Sequence, residues 1–172
     1  MDNKPAATLL VIVAGLACSN ASPTDPPRAC TLIGCQDGLT VELEPGSGWP
    51  AGDYRFRFEG NGVQVQCRGS LPLPPCQAGR AVTCEPAGVA TIVESGCALP
   101  ASAHGFSQVF FDPKVQPATL RVSIERIEGS STTVLAAVDL SPRFETLQPN
   151  GPGCPPTCRQ ARARVNVQLT GR

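Results

Sequence analysis

From Asp53 to Cys67 the chain alternates apolar and polar residues almost without a break, and this period of two limits the fold more than any other feature. In Asp53–Glu59 (DYRFRFE), Tyr54, Phe56 and Phe58 fall on one face and Arg55 and Arg57 on the other. Gly60-Asn61-Gly62 then supplies residues that tolerate positive φ, as a tight turn requires. Val63-Gln64-Val65-Gln66-Cys67 returns in the same alternation, so the stretch predicts a β-hairpin with one wet and one buried face. The pattern recurs in Leu39–Glu44 and in Ala163–Leu169. Further strands are expected at Ala81–Glu85, Val89–Glu94, Gln108–Phe111, Ala118–Glu125 and Thr132–Leu140, with a second hairpin around Gly129-Ser130-Ser131.

Between the strands lie turns built from the chain's 17 glycines and 18 prolines, such as Leu71–Pro75 and Pro149–Gly153. No twelve-residue window carries an amphipathic helix, and only Pro100–Gly105 suggests a short helical turn. Short strands, frequent turns and one polar face per strand predict an all-β, antiparallel two-sheet sandwich. An immunoglobulin-like arrangement is the first expectation and a jelly roll the alternative. Trp49 lies in the Gly46–Ala51 turn rather than in a strand, so the antibody-type Cys…Trp…Cys core is absent.

Nine cysteines bear on compartment. Cys18 closes an apolar run, Ala6–Ala17, that is too short for a membrane span and has the length of a signal-peptide core. Gly15-Leu16-Ala17-Cys18 resembles a bacterial lipobox, in which the cysteine thiol is acylated and becomes the new N-terminus. Gly15 stands where that pattern usually has a leucine-like residue, and cleavage after Ser19-Asn20-Ala21 is the alternative. The resulting organisation is a signal peptide at 1–17, a polar, Pro-rich, lipid-anchored tether at 18–29, and one sandwich domain at 30–172. Ser19 rather than Asp after the cysteine implies, by resemblance to Gram-negative lipoprotein sorting, the outer membrane; secretion is the alternative.

The remaining eight cysteines are Cys30, Cys35, Cys67, Cys76, Cys84, Cys97, Cys154 and Cys158. An even number in an exported chain predicts a disulfide framework. Two close pairs, Cys30/Cys35 and Cys154/Cys158, flank the domain, and four thiolates there would suit tetrahedral zinc if export did not favour oxidation. In immunoglobulin-like sandwiches the first and last strands can lie side by side in parallel. That would join Cys30 and Cys35 to Cys154 and Cys158 and leave the middle four to pair among themselves. Two local rings are the rival.

Formal net charge is zero, which disfavours nucleic acid or an anionic surface as an electrostatic partner. No G-x-S-x-G elbow, glycine-rich phosphate loop or Asp-rich calcium loop occurs, and no catalytic residue, metal site or cofactor is read. His104, the only histidine, is expected on the surface of a loop. Glu42, Glu44, Glu59, Glu85, Glu94, Glu125 and Glu128 are expected on solvated strand faces. Among the aromatics, Trp49 in its turn and Phe106 in the Ala98–Gln108 connection are the candidates for an exposed ligand platform, with core packing as the competing role.

The lipobox-like start, Cys30–Cys35 (CTLIGC), Leu71–Cys76 (LPLPPC) and Pro149–Cys154 (PNGPGC) resemble small predicted lipoproteins of high-GC Gram-negative bacteria, chiefly myxobacteria. That resemblance implies location and architecture and carries no activity. The expected function is a non-catalytic envelope lipoprotein, structural or interacting with another envelope protein. A carbohydrate- or small-ligand-binding domain at the cell surface is the alternative, with a glycan as partner.

Overall fold

The computed structural model describes residues 29–168. The segments expected to be the signal peptide (1–17) and the tether, up to residue 28 and including Cys18, lie outside them, as does Leu169. The described chain forms β1 (Gly38–Pro45), β2 (Gly52–Gly60), β3 (Val63–Leu71), β4 (Thr83–Glu85), β5 (Ala90–Ser95), β6 (Gly105–Phe111), β7 (Leu120–Glu128), β8 (Ser131–Leu140), β9 (Glu145–Leu147) and β10 (Cys158–Val167). Two 3-10 turns, Cys76–Ala78 and Ala101–Ala103, interrupt the longer loops. One sheet has the order β5-β6-β1-β10-β9 and the other β4-β3-β2-β7-β8. They pack as a two-sheet sandwich in which β1 and β10 pair in parallel and the remaining pairings are antiparallel.

The central hairpin forms as its alternation requires. β2 and β3 pair without slippage from Gly60↔Val63 to Gly52↔Leu71. Gly62 adopts φ +76°, a conformation that costs glycine little. β7 and β8 form the second hairpin, from Glu128↔Ser131 to Leu120↔Leu140. The short β9 is absent from the expectation, because Phe144–Gln148 carries no alternation to mark it. β10 starts at Cys158 rather than Ala163, since its first residues pair with β9.

The first and last strands run parallel, from Gly38↔Gln160 to Pro45↔Val167. β1 also pairs with β6, so the first and last strands both sit inside one sheet. This brings the two cysteine pairs together. Cys30 bonds to Cys154 and Cys35 to Cys158, while Cys67 bonds to Cys84 and Cys76 to Cys97. The pairing uses every thiolate a zinc site would have needed.

Inner faces supply the core: Leu39, Val41 and Leu43 from β1, Tyr54, Phe56 and Phe58 from β2, Val63 and Val65 from β3, and Leu120, Val122 and Ile124 from β7. Full burial of such side chains contributes about 1.5–3 kcal/mol each. Two β-bulges break the alternation. Between β5 and β6 the register moves from Val93↔Gln108 to Glu94↔Phe106, which leaves Ser107 as the extra residue. Between β7 and β8 it moves from Ile124↔Ala136 to Glu125↔Val134, which leaves Leu135 as the extra residue. The Leu135 carbonyl accepts the Gln168 N–H at 2.9 Å, tying the end of β10 to the other sheet.

Candidate binding groove on the outer sheet face

Trp49 and Phe106, the candidates for an exposed ligand platform, are both in the core, so core packing is their role and the platform does not form. Trp49 is 7% exposed and Phe106 1%. Trp49 folds back from its turn, and its Nε1–H donates to the Phe106 carbonyl at 2.9 Å, satisfying the one polar atom of the ring. Trp49, Tyr54, Phe56 and Phe106 form an edge-to-face cluster, with the Trp49–Phe106 and Phe56–Phe106 ring centroids each 5.1 Å apart. Gly105 is needed beneath it, because a Cβ there would lie 2.5 Å from Trp49 Cδ1. The Tyr54 hydroxyl donates to the Pro50 carbonyl. Burial pushes its phenol up to about 12, with Arg126 opposing the shift and Glu128 adding to it.

His104 is also buried, contrary to a surface placement. Its Nδ1 accepts the Leu73 N–H at 2.9 Å, which leaves Nε2–H to donate to the Leu99 carbonyl, also at 2.9 Å. The ring therefore joins the β3–β4 and β5–β6 loops, the same two loops that Cys76–Cys97 crosslinks. Both nitrogens are spent on backbone, so His104 is a structural clamp. Among the carboxylates Glu125 departs from its expected solvated position. It is buried and accepts from Arg55 at 3.2 Å and from Arg57 at 2.7 Å. Glu94 accepts the Val82 N–H at 2.8 Å and holds the approach to β4.

The structure assembles a different constellation. On the outer face of the β5-β6-β1-β10-β9 sheet lies a groove of about 570 Å³, within the range of small-molecule sites. Its floor comes from Gln108 and Phe110 of β6, Thr40 and Glu42 of β1, and Gln160 and Arg162 of β10. Cross-strand register fixes their neighbours. Thr40 stands opposite Phe110 on one side and Arg162 on the other, and Glu42 opposite Gln108 and Arg164. Phe110 and Arg162 are thus two strand spacings apart, about 10 Å.

The groove walls are Gly34–Gln36 on one side and Leu147 and Pro149 on the other. The first is an irregular segment held by a crosslink, and the second is the end of β9 with the turn that follows it. Cys35–Cys158 fixes the first wall to the start of β10, and Cys30–Cys154 closes a second ring beyond it. Asn150 acts as a surrogate strand: its Oδ1 accepts the Ile33 N–H and its Nδ2 donates to the Ile33 carbonyl, each at 3.0 Å. Nδ2 donates to the Pro155 carbonyl as well, and the Thr31 hydroxyl donates to Oδ1. Asp37 accepts the Arg159 N–H at 2.6 Å.

The two outer faces differ in how their polar groups are used. On the β4-β3-β2-β7-β8 face, Arg55 and Arg57 grip Glu125, and Ser70 donates to Asp53 at 2.6 Å. In the groove only Glu42 is engaged, by Arg164 at 2.9 Å. Among the described residues, the side chains of Thr40, Gln108, Gln160 and Arg162 have no hydrogen-bond or ion-pair partner in the protein. Sequence reasoning missed these four as a set. The available signal was their polar alternation on strands, which says which way a side chain points and not which strands adjoin.

No group of three or more His, Cys, Asp or Glu side chains suited to a metal ion occurs among the described residues. No helix among them is long and apolar enough to cross a membrane. Four disulfides place the domain in an oxidising, extracytoplasmic compartment. Comparison with known proteins gives no matching family model, no matching curated protein and no matching solved structure.

Proposed function

We propose that the protein is a non-catalytic cell-envelope lipoprotein, an interaction module tethered to the outer membrane through acylated Cys18. In this reading the outer-face groove receives its ligand or envelope partner. One observation carries the binding role: a groove with one wall crosslinked to the start of β10 and with four polar side chains on its floor unspent on the protein. A crosslinked wall reduces the ordering cost of binding, and unpaired donors and acceptors supply the contacts. The lipobox-like Leu16-Ala17-Cys18 supports the anchor. Two acyl chains at one N-terminus would hold it stably, where a single chain binds only marginally.

Two measurements test this. Cys18→Ser should release the protein from the membrane fraction; intact-mass analysis finding an unmodified chain that starts at Ser22 would remove the anchor. Pull-down from envelope extracts with the disulfide-intact chain should recover a partner that Arg162→Glu no longer recovers. Recovery indifferent to that change would remove the groove from the function. The carbohydrate-binding alternative is favoured by Phe110 and the groove amides of Gln108 and Gln160, rather than by Trp49 or Phe106.

A further inference from the structure

We infer that the groove is a site for an acidic saccharide, a chain of pyranose rings bearing carboxylates; this rests on the groove being the binding site of the module. The argument is one of matching chemistry along a row. Phe110, Thr40 and Arg162 lie side by side on β6, β1 and β10, and Gln108 and Gln160 flank that row. Phe110 is half-buried and lines the groove. An aromatic ring with a negative face attracts the weakly positive C–H face of a sugar ring. Gln108 and Gln160 each offer both a donor and an acceptor, and Thr40 a hydroxyl, which suits the paired hydroxyls of a pyranose. A peptide strand would need a row of free backbone groups, whereas the floor here presents side chains from inside a sheet.

Charge selects the acidic class. Glu42 lines the groove, and Arg164 on the adjoining strand engages it at 2.9 Å while also reaching Glu44 at 3.5 Å. Arg162 carries a guanidinium with no partner among the described residues, and it is exposed at the end of the row away from Phe110. A guanidinium binds a carboxylate through two parallel N–H bonds, a geometry a neutral hydroxyl cannot reproduce. The opposite sheet face provides an internal contrast, since its Arg55 and Arg57 are already taken by Glu125.

The test is isothermal titration of the mature chain carrying Cys18→Ser with a short oligouronide and with the same oligosaccharide after reduction of its carboxylates. The oligouronide should bind more tightly than the reduced probe. Arg162→Gln should weaken only the acidic probe, by about tenfold to a hundredfold, the worth of a hydrogen bond to a charged group. Phe110→Leu, which keeps apolar bulk beneath the groove and removes the ring, should weaken both probes. Arg121→Gln, on the other sheet, should change neither. Melting temperatures of each variant establish that the fold is intact.

Equal binding of the two probes, or indifference to Arg162→Gln, overturns the acidic assignment. Absence of binding by either probe overturns the saccharide site. If the pull-down still recovers a partner that depends on Arg162, the interaction module stands and only the ligand class falls.

Discussion

Removing the two terminal disulfides, singly and together, should give strongly unequal losses. Cys30–Cys154 and Cys35–Cys158 span 124 and 123 residues, so they close almost the same loop. In the chain-entropy account, closing a loop of that length restricts the unfolded chain by about 5 kcal/mol. Once one bridge exists, the other closes only the small ring through Cys30, Cys35, Cys158 and Cys154. A ring of about ten residues is worth about 3 kcal/mol in the same account. Replacing either pair by alanine, Cys30→Ala with Cys154→Ala or Cys35→Ala with Cys158→Ala, should therefore cost about 3 kcal/mol, because the long loop stays closed. Replacing all four should cost about 8 kcal/mol, comparable with the whole stability of many domains. For a chain of this size each kcal/mol moves the melting temperature by about 2–4 °C. Thermal unfolding followed by circular dichroism should show a modest drop for each double variant and a collapse for the quadruple one. A quadruple loss equal to the sum of the two double losses would refute the shared-loop reasoning. So would a single-bridge loss near 5 kcal/mol, the full value of the long loop.

Three further perturbations test the core and its clamps. Gly69→Ala would set a Cβ 2.6 Å from Val82 Cγ2 and 3.5 Å from Phe106, so it should destabilise by about 1–3 kcal/mol in urea unfolding, where alanine in an uncrowded strand would gain stability. His104→Ala strands the buried Leu73 N–H and opens a cavity between two loops; a loss of about 2–4 kcal/mol is expected, and one below about 0.5 kcal/mol, the size of a surface change, would contradict the clamp. Tyr54 has its phenol raised to about 12 by burial, so its contribution is fully present below the ordinary phenol value near 10 and is lost as pH rises from there through about 12. Brief-exposure unfolding measured across that window should show the fall in the native chain and a shallower one in Tyr54→Phe; identical slopes would refute it.

Local physics made the strands legible in the sequence. Alternation is a property of neighbouring residues, and in Asp53–Cys67 it specified the hairpin, the buried Tyr54-Phe56-Phe58 face and the turn at Asn61-Gly62. The even set of eight cysteines, read with the parallel placement of the end strands, also anticipated that Cys30 and Cys35 join Cys154 and Cys158. What escaped the sequence depends on contacts between distant segments. Phe106 and Phe110 have the same parity and would share a face of an unbroken strand. The bulge at Ser107 turns Phe106 into the aromatic core and leaves Phe110 outside, and only the register against β5 reveals it. Trp49 and His104 looked like loop residues. Each is buried because a partner far along the chain, the Phe106 carbonyl or the Leu73 N–H, satisfies its polar atom. The groove is the extreme case. The end strands are expected side by side, but that Thr40 faces Arg162 follows only from the exact register of β1 on β10, and that Phe110 joins them only from β6 pairing with β1. A side chain's direction is set by its own backbone, but the company it keeps is set by which strands the whole fold brings side by side.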